Sequence, residues 1–319
     1  MRKWITLLMT LLVGCQSYTN ANMGEASFEA GYRRDTIDWR QRFPSDQPFI
    51  NSSIRFKDID IFQIGVHGRS TLGNNFYVRG SAYWGWVLDG DFDRKFNAYF
   101  GNNDYFADDH FRLGFGDRNR TTVDDKYVFG IGAAIGYPFF FCDCTMLIAP
   151  TIGYSFDEQN LRVDDVGFDF NPYCLAGNNN KQCCRNTFIS RWYGPFVGLD
   201  FDWRPWNSCF NLWAEVEYHW GNFRGKRSHG DNFNIFDDRN RTSHKATAWV
   251  FSSGIDYDFC NNWTVGIDVK FQNWAANRHH EFCRNDFDAV YNNVTCNNKT
   301  RTNHKWRSYA INLTLGKEF

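Results

Sequence analysis

Long hydrophobic runs and an excess of charge of either sign are both missing from this sequence. Beyond its N-terminus the chain of 319 residues has no stretch of 18 uninterrupted apolar residues, which argues against membrane-spanning helices. Its 35 basic and 36 acidic residues almost balance, so no general attraction to nucleic acid is expected. Helical periodicity is rare, and no phosphate-binding loop, nucleophile triad or dinucleotide fingerprint is found. We therefore expect no cofactor and no bound metal.

Aromatic residues, in contrast, are abundant. The chain has 32 Phe, 15 Tyr and 13 Trp, which make up 19% of its residues, yet its mean hydropathy is −0.55. A chain that is rich in aromatic residues but polar on average is typical of a β protein with one apolar and one wet face.

The N-terminus is typical of an export signal. Arg2 and Lys3 precede the mostly apolar segment WITLLMTLLVG, which is too short to span a bilayer as a helix. Two cleavage sites fit: a lipoprotein-type site before Cys15, which would then be acylated, and a small-residue site ending at Ala21. In both cases residues 1–21, the signal-peptide segment, are excluded from the fold, and residues 22–319 form the folded domain.

Many segments alternate between apolar and polar residues. In WTVGIDVKF, every second residue from Trp263 to Phe271 is large and apolar, and Asp268 and Lys270 fall between them. The last strand, AINLTLGKEF, ends in the same way on Phe319. Because successive side chains of a strand point to opposite faces, each segment has one apolar and one polar face.

The connections alternate between short and long. Short links such as STLGN, PWNS and CNNW separate some strands, and long segments at 88–124, 157–186, 223–244 and 277–303 separate others. We predict ten strands, at 24–40, 50–69, 75–87, 125–140, 145–156, 187–204, 209–222, 245–259, 263–276 and 304–319. The alternation slips near 33–36 and 61–62, which predicts bulges there.

This plan predicts a bacterial outer-membrane protein. The fold class is all-β: a transmembrane antiparallel β-barrel with short periplasmic turns and long extracellular loops. Aromatic residues at strand ends indicate interfacial girdles: Trp84, Trp86, Tyr137, Trp203, Trp220 and Trp263. The apolar faces would contact outer-membrane lipid. The terminal Phe319 resembles the C-terminal signal recognised by the barrel-insertion machinery, although Lys317 departs from the usual pattern. A soluble β-sandwich or a lipocalin-like barrel is the alternative fold.

Polar faces predict the lining of the barrel. Ten residues are candidates for a pore wall: Arg79, Asp200, Asp202, Glu215, Glu217, His219, Asp256, Asp258, Asp268 and Lys270. Since buried charges without water are costly, a water-filled lumen explains them. Charges of both signs favour passive diffusion of small hydrophilic solutes or ions. A barrel of ten strands is narrow, so side chains could also fill it.

The cysteines divide between the two sides of the barrel. In an oxidising compartment we expect disulfides, and the candidates are Cys142, Cys144, Cys209 and Cys260 near short turns, and Cys174, Cys183, Cys184, Cys283 and Cys296 in long loops. Pairing across the barrel is excluded, because the Cα atoms of a disulfide lie within about 7 Å of each other. The odd number of loop cysteines leaves at least one free or intermolecular, and we expect some to link neighbouring envelope proteins. Detection of monomer alone on non-reducing gels of native envelopes would contradict this.

Two family resemblances follow. The ten-strand layout and the segment YRRDTIDWR resemble the omptins, outer-membrane proteases whose catalytic groups are an Asp-x-Asp pair and a later Asp-x-His pair. Asp89 and Asp91 match the first pair and His229 matches the histidine, but Arg227 stands where the second aspartate belongs. This departure puts water activation in doubt, so an omptin-like protease, like a surface adhesin barrel, is an alternative function.

In size, aromatic strands and cysteine pattern the chain also resembles the Pom family, the outer-membrane porins of chlamydia-like bacteria. The resemblance implies a porin for small hydrophilic solutes or ions, in an envelope strengthened by disulfides. No compact motif carries it.

Overall fold

Strands account for nearly all of the chain that can be described. The computed structural model describes residues 24–43, 49–72, 76–99, 126–141, 145–164, 185–205, 208–228, 244–259, 262–282 and 298–319. Its strands are β1 (Gly24–Phe43), β2 (Phe49–Leu72), β3 (Phe76–Tyr99), β4 (Tyr127–Gly136), β5 (Phe139–Phe141), β6 (Met146–Asp164), β7 (Arg185–Trp203), β8 (Phe210–Ser228), β9 (His244–Phe259), β10 (Trp263–Phe282) and β11 (Asn298–Glu318). Within these residues, no helix has the length and apolar character needed to cross a bilayer.

The sheet closes on itself. Apart from β4 and β5, which do not pair with each other, each strand pairs with its sequence neighbours. β1 pairs antiparallel with β11, and β4 and β5 both pair with β6. The break between β4 and β5 falls at Tyr137 and Pro138, where proline has no N–H to donate to the ladder. Counting these two segments as one strand gives a closed antiparallel barrel of ten strands, so the predicted fold class is confirmed.

The outer surface of the barrel is an apolar belt. Alternate side chains along each strand are exposed; Leu313 is 65% exposed and Ile152 is 61% exposed, and such exposure in water would be unfavourable. Exposed aromatic residues border the belt on both sides. Near the short turns are Tyr137, Phe139, Trp203, Phe210, Phe259, Trp263 and Phe319, and towards the long connections are Tyr32, Phe62, Trp86, Trp220, Trp249 and Tyr309. Trp84 lies at the same outer face, stacked on Tyr127.

Several strands continue past the belt, further than the sequence predicts. β3 was expected to end at residue 87 and reaches Tyr99, while β8 reaches Ser228 and β10 reaches Phe282. These strands remain paired beyond the belt because their inward side chains pack into an apolar core. Their outward positions there include charged residues. We call this part, between the second girdle and the long connections, the extension.

Two of the strands are irregular at the positions where alternation slips. The register of β1 and β2 shifts between Asp35 and Ile37, and that of β2 and β3 shifts on both sides of Asp60. Asp58, in the second bulge, has a φ of 48°, which a short polar side chain tolerates better than most. The predicted bulges are confirmed.

Introducing a charged residue into the belt tests whether the belt faces lipid or water. We expect Leu313→Arg to lower the free energy of unfolding by about 2–4 kcal/mol, because the side chain would lie in hydrocarbon. The matched control Asn277→Arg adds the same group to an exposed position in the extension and should change stability by less than about 0.5 kcal/mol. Denaturant unfolding in phospholipid vesicles measures both, and equal effects would contradict this orientation.

Candidate functional site in the barrel interior

Arg79 lies at the centre of the interior. From β3 its guanidinium contacts Asp200 on β7 at 2.8 Å and Glu215 on β8 at 2.6 Å, and it also pairs with Glu217. β3 and β8 are not neighbours in the sheet, so these ion pairs cross the lumen. All four side chains are nearly buried, where a charge is tolerated only with close partners.

Histidines extend this cluster. His219 Nε2 lies 2.7 Å from Glu217, and its Nδ1 lies 3.1 Å from the Ser155 hydroxyl. His67 Nε2 lies 3.3 Å from Glu215. The carboxylates of β8 are therefore contacted from β2, β3 and their own strand.

A second set of ion pairs lies nearer the short turns. Arg69 contacts Glu25 at 2.7 Å and Asp202 at 2.8 Å. Arg204 pairs with Glu318 and lies 3.9 Å from Asp258. These pairs tie the first and last strands to β7 at the mouth of the barrel.

A chain of amides leads to a carboxylate on β10. Gln63 donates to Asn312 at 2.8 Å, and Asn312 donates to Asp268 at the same distance. The second Asp268 oxygen and the Gln63 carbonyl are buried with no hydrogen-bond partner among the described residues. Such acceptors are costly unless water or a cation reaches them.

Two cavities remain between these groups. One, of about 80 Å³, lies in mid-barrel among Arg79, Glu215, Asp268 and Lys270. The other, of about 130 Å³, lies at the short-turn mouth among Glu25, Arg69 and Arg204. Each is large enough for several water molecules.

The extension, in contrast, is filled by an apolar core that we call the aromatic plug. It is made of Ile37, Ile54, Phe56, Ile59, Ile61, Val87, Val128, Leu161, Val163, Phe188, Trp192, Phe223, Ala246, Ala248, Trp274, Ala276 and Trp306. The rings of Trp274 and Trp306 stack at 6.2 Å, and Trp192 packs between them and Phe223. At this level the described inward side chains are largely apolar and buried, unlike the charged interior nearer the short turns.

One buried ion pair joins the polar interior to the plug. Arg33 contacts Asp35 at 2.7 Å, with both side chains almost fully buried. Asp35 also accepts hydrogen bonds from Trp306 Nε1 at 3.1 Å and Gln159 at 2.9 Å. The Arg33 guanidinium lies over the Tyr83 ring, so both charges are fully partnered.

The residues predicted from alternation lie together. Contacts place all ten pore-wall candidates on the inner side of the barrel: Arg79, Asp200, Asp202, Glu215, Glu217, His219, Asp256, Asp258, Asp268 and Lys270. Several are held in ion pairs or hydrogen bonds rather than freely solvated. Whether they line a conducting pore stays a prediction.

The omptin-like candidates are not gathered into a site by the described residues. Asp89 and Asp91 lie within β3 rather than in a loop, and both are exposed, while Val87 and Phe92 pack inward. Asp89 accepts a hydrogen bond from the Gly90 N–H at 2.8 Å. His229 lies outside the described residues, so protease activity stays a prediction.

Among the cysteines, Cys209 alone falls within the described residues. It is exposed beside the start of β8, at the short-turn end, and has no disulfide partner within the described part of the chain. The other disulfide candidates, Cys142, Cys144, Cys174, Cys183, Cys184, Cys260, Cys283 and Cys296, lie outside the described residues, as does Cys15. The disulfide predictions therefore stay open.

The plug is what sequence reasoning missed. Trp192, Trp274 and Trp306 stand at inward positions beyond the belt, where inward residues switch from polar to aromatic. The signal was present, because each falls on the same alternating face as polar residues nearer the short turns. Strand ends set too early at 156, 222 and 276 hid part of this face.

The fold and its two-sided surface define an outer-membrane β-barrel. Among solved structures, the chain is similar to the outer membrane protease OmpT from Escherichia coli, with 12% identity, a TM-score of 0.50, and coverage of 95% of this chain and 98% of that one. It is less similar to the translocator domain of the autotransporter NalP from Neisseria meningitidis, with 7% identity, a TM-score of 0.34 and coverage of 100% and 95%. These likenesses concern the fold alone.

A family model identifies the chain further. The model described as Pom, Protochlamydia outer membrane protein, matches residues 27–319, which is almost the whole barrel. The chain therefore belongs to the Pom family and is an outer-membrane protein, so its short-turn end faces the periplasm and its extension faces outward. A comparison with curated proteins found no match.

Arg79 offers a direct test of the interior network. We expect Arg79→Met to lower the free energy of unfolding by about 3–5 kcal/mol, because it leaves three carboxylates buried near one another without their cation. The matched control Arg191→Gln breaks an ion pair whose arginine is 41% exposed and should cost less than about 1 kcal/mol. Urea unfolding in detergent, followed by tryptophan fluorescence, compares the two; equal costs would contradict the role of Arg79.

His304 should make the extension sensitive to acid. It lies outside the membrane-spanning part, stacked 4.4 Å from the Phe223 ring; burial and the nearby His244 lower its pKa to about 3. The unfolded chain, with a histidine pKa of about 6.5, binds the proton first, so this stabilisation is complete above about pH 6.5 and is lost as the pH falls towards 3.

We expect the free energy of unfolding to fall by about 2 kcal/mol between about pH 7.5 and pH 5. Unfolding measured at both pH values should show a smaller fall for His304→Phe, which keeps the ring and removes the proton site. An unchanged fall in that variant would assign the effect to other groups.

Proposed function

We propose that this barrel is a narrow outer-membrane channel for small hydrophilic solutes and ions, and that the aromatic plug limits passage on the extracellular side. The observation that carries the proposal is the charged, cavity-containing interior of the membrane-spanning part. A barrel needed only as an anchor gains nothing from charges in its centre, since each costs desolvation energy that apolar side chains avoid. Cavities beside these charges are large enough for water, which would make the charges tolerable and supply part of an aqueous path.

The sign of the interior charge predicts selectivity. Among the described inward residues of the membrane-spanning part, carboxylates outnumber cationic groups: Glu25, Glu29, Asp157, Asp200, Asp202, Glu215, Glu217, Asp256, Asp258, Asp268 and Glu318 against Arg33, Arg69, Arg79, Arg204 and Lys270. Acidic pore walls favour cations. We therefore expect small cations to pass more readily than anions.

A closed structural barrel is the second candidate, and the plug favours it. Trp192, Trp274 and Trp306 are fully buried and fill the lumen where any path to the exterior must pass. Displacing such rings costs several kcal/mol of packing. On this alternative the chain anchors its cysteine-bearing loops at the surface.

Planar-bilayer recording separates the two candidates. For a channel, the wild-type chain should give small discrete steps in KCl, with a reversal potential that indicates cation preference. Trp192→Ala with Trp306→Ala should give larger steps by thinning the plug, while the control Trp220→Ala, on the outer girdle, should leave them unchanged.

The alternative outcomes are equally specific. A wild-type chain without steps would remove the channel proposal, and steps seen only in the plug variant would support the closed barrel. Asp256→Asn with Asp268→Asn should reduce cation preference, and an unchanged reversal potential would refute the assignment of selectivity to these carboxylates.

A further inference from the structure

Among the side chains that the structure describes, one face of the extension presents only basic charges to the outside. On β8, β9 and β11 the outward positions beyond the girdle include Arg224, Lys226, Lys245, Lys305 and Arg307, which we call the basic face. The neighbouring outward residues are uncharged: Asn222, Thr247, Asn273, Ala275, Asn277 and Asn303. None of the five basic side chains has an ion-pair partner among the described residues.

The opposite side of the extension differs. There the described basic side chains that are exposed are paired: Arg34 with Asp60 at 2.9 Å, Lys57 with Asp93 at 3.6 Å, and Arg55 with Asp38. Protein carboxylates thus neutralise β1–β3, whereas the charges on β8–β11 are left for something outside the chain.

The depth of the basic face points to the membrane. Arg307 is the first outward residue beyond the girdle residue Tyr309, and Lys305 is the second; Lys245 stands in the same relation to Trp249, and Arg224 to Trp220. At about 3.4 Å per residue, these charges lie roughly 7–14 Å along the strand from rings that sit at the headgroup level. Long basic side chains can bend back towards that level.

The arrangement also leaves room for a ligand. In the sheet register, Lys305 lies opposite Ala275, which lies opposite Thr247, and Arg307 lies opposite Asn273. The small residues of β10 therefore form a floor between Lys245 on β9 and Lys305 on β11, two strands that lie about 10 Å apart at the usual spacing. Phosphate oxygens fit such a setting, since Arg and Lys donate charge-assisted hydrogen bonds to them.

We infer that the basic face binds the phosphate groups of anionic lipids in the outer leaflet. Charge complementarity, continuity with the lipid-facing belt and the position just beyond the girdle all favour lipid over a soluble partner. Each exposed Lys or Arg near an anionic membrane surface contributes to such attraction, and salt weakens it.

Binding of lipid A to the refolded full chain tests the inference, with native mass spectrometry as the readout. Lys305→Gln with Arg307→Gln should weaken binding about thirtyfold, since two charges are removed. The matched control Arg40→Gln with Lys57→Gln removes two exposed charges that pair with Asp38 and Asp93, and should change binding less than about threefold. Gel mobility before and after heating verifies that each variant is folded.

Three results would overturn the inference. Equal weakening in both variants would assign the effect to overall charge. Equally tight binding of dephosphorylated lipid A would show that acyl chains suffice. Displacement of lipid A by comparable concentrations of inorganic phosphate would show that the face recognises free phosphate rather than the lipid.

Discussion

Closure of the hydrogen-bond ladder is the constraint on which the rest of this structure depends. In hydrocarbon every backbone N–H and C=O must find a partner within the protein, and a sheet does this without edges when its first and last strands meet. β1 and β11 pair over almost their whole length, from Glu25 opposite Glu318 to Arg42 opposite Arg301. The alternation of side chains then determines their surroundings, because one face of every strand contacts lipid and the other faces a narrow interior.

The narrow interior has a polar part and an apolar part. In the membrane-spanning part, Arg79 and its carboxylates cross the lumen with water-sized cavities beside them. In the extension, Trp192, Trp274 and Trp306 are fully buried in an apolar core. Arg33 and Asp35 stand at the boundary, where Trp306 donates to the buried carboxylate. The proposed passage and the stability of the barrel therefore depend on the same side chains, because the rings whose displacement would open a path also pack the strands together.

The outer surface is asymmetric in charge as well as in polarity. The belt meets lipid all round. Beyond it, among the side chains that the structure describes, the outward basic residues of β1–β3 are paired with acids and those of β8, β9 and β11 are not. Lipid headgroup charge is concentrated in the layer just beyond the aromatic girdle. The unpaired basic residues lie in this layer, so the difference in charge affects how the two sides of the barrel interact with the membrane.

Period-two alternation determined much from the sequence alone: the closed ten-stranded barrel, its apolar exterior, its bulges near Asp35 and Asp60, and which carboxylates turn inward. Those properties are local, because each can be deduced from the alternation within a single strand. Tertiary structure alone decided that Arg79 meets Glu215 from a distant strand, and that Trp192, Trp274 and Trp306 fill the extension. Inward-facing residues meet only after the barrel has closed, so partners more than a hundred positions apart leave no mark in the spacing of the chain.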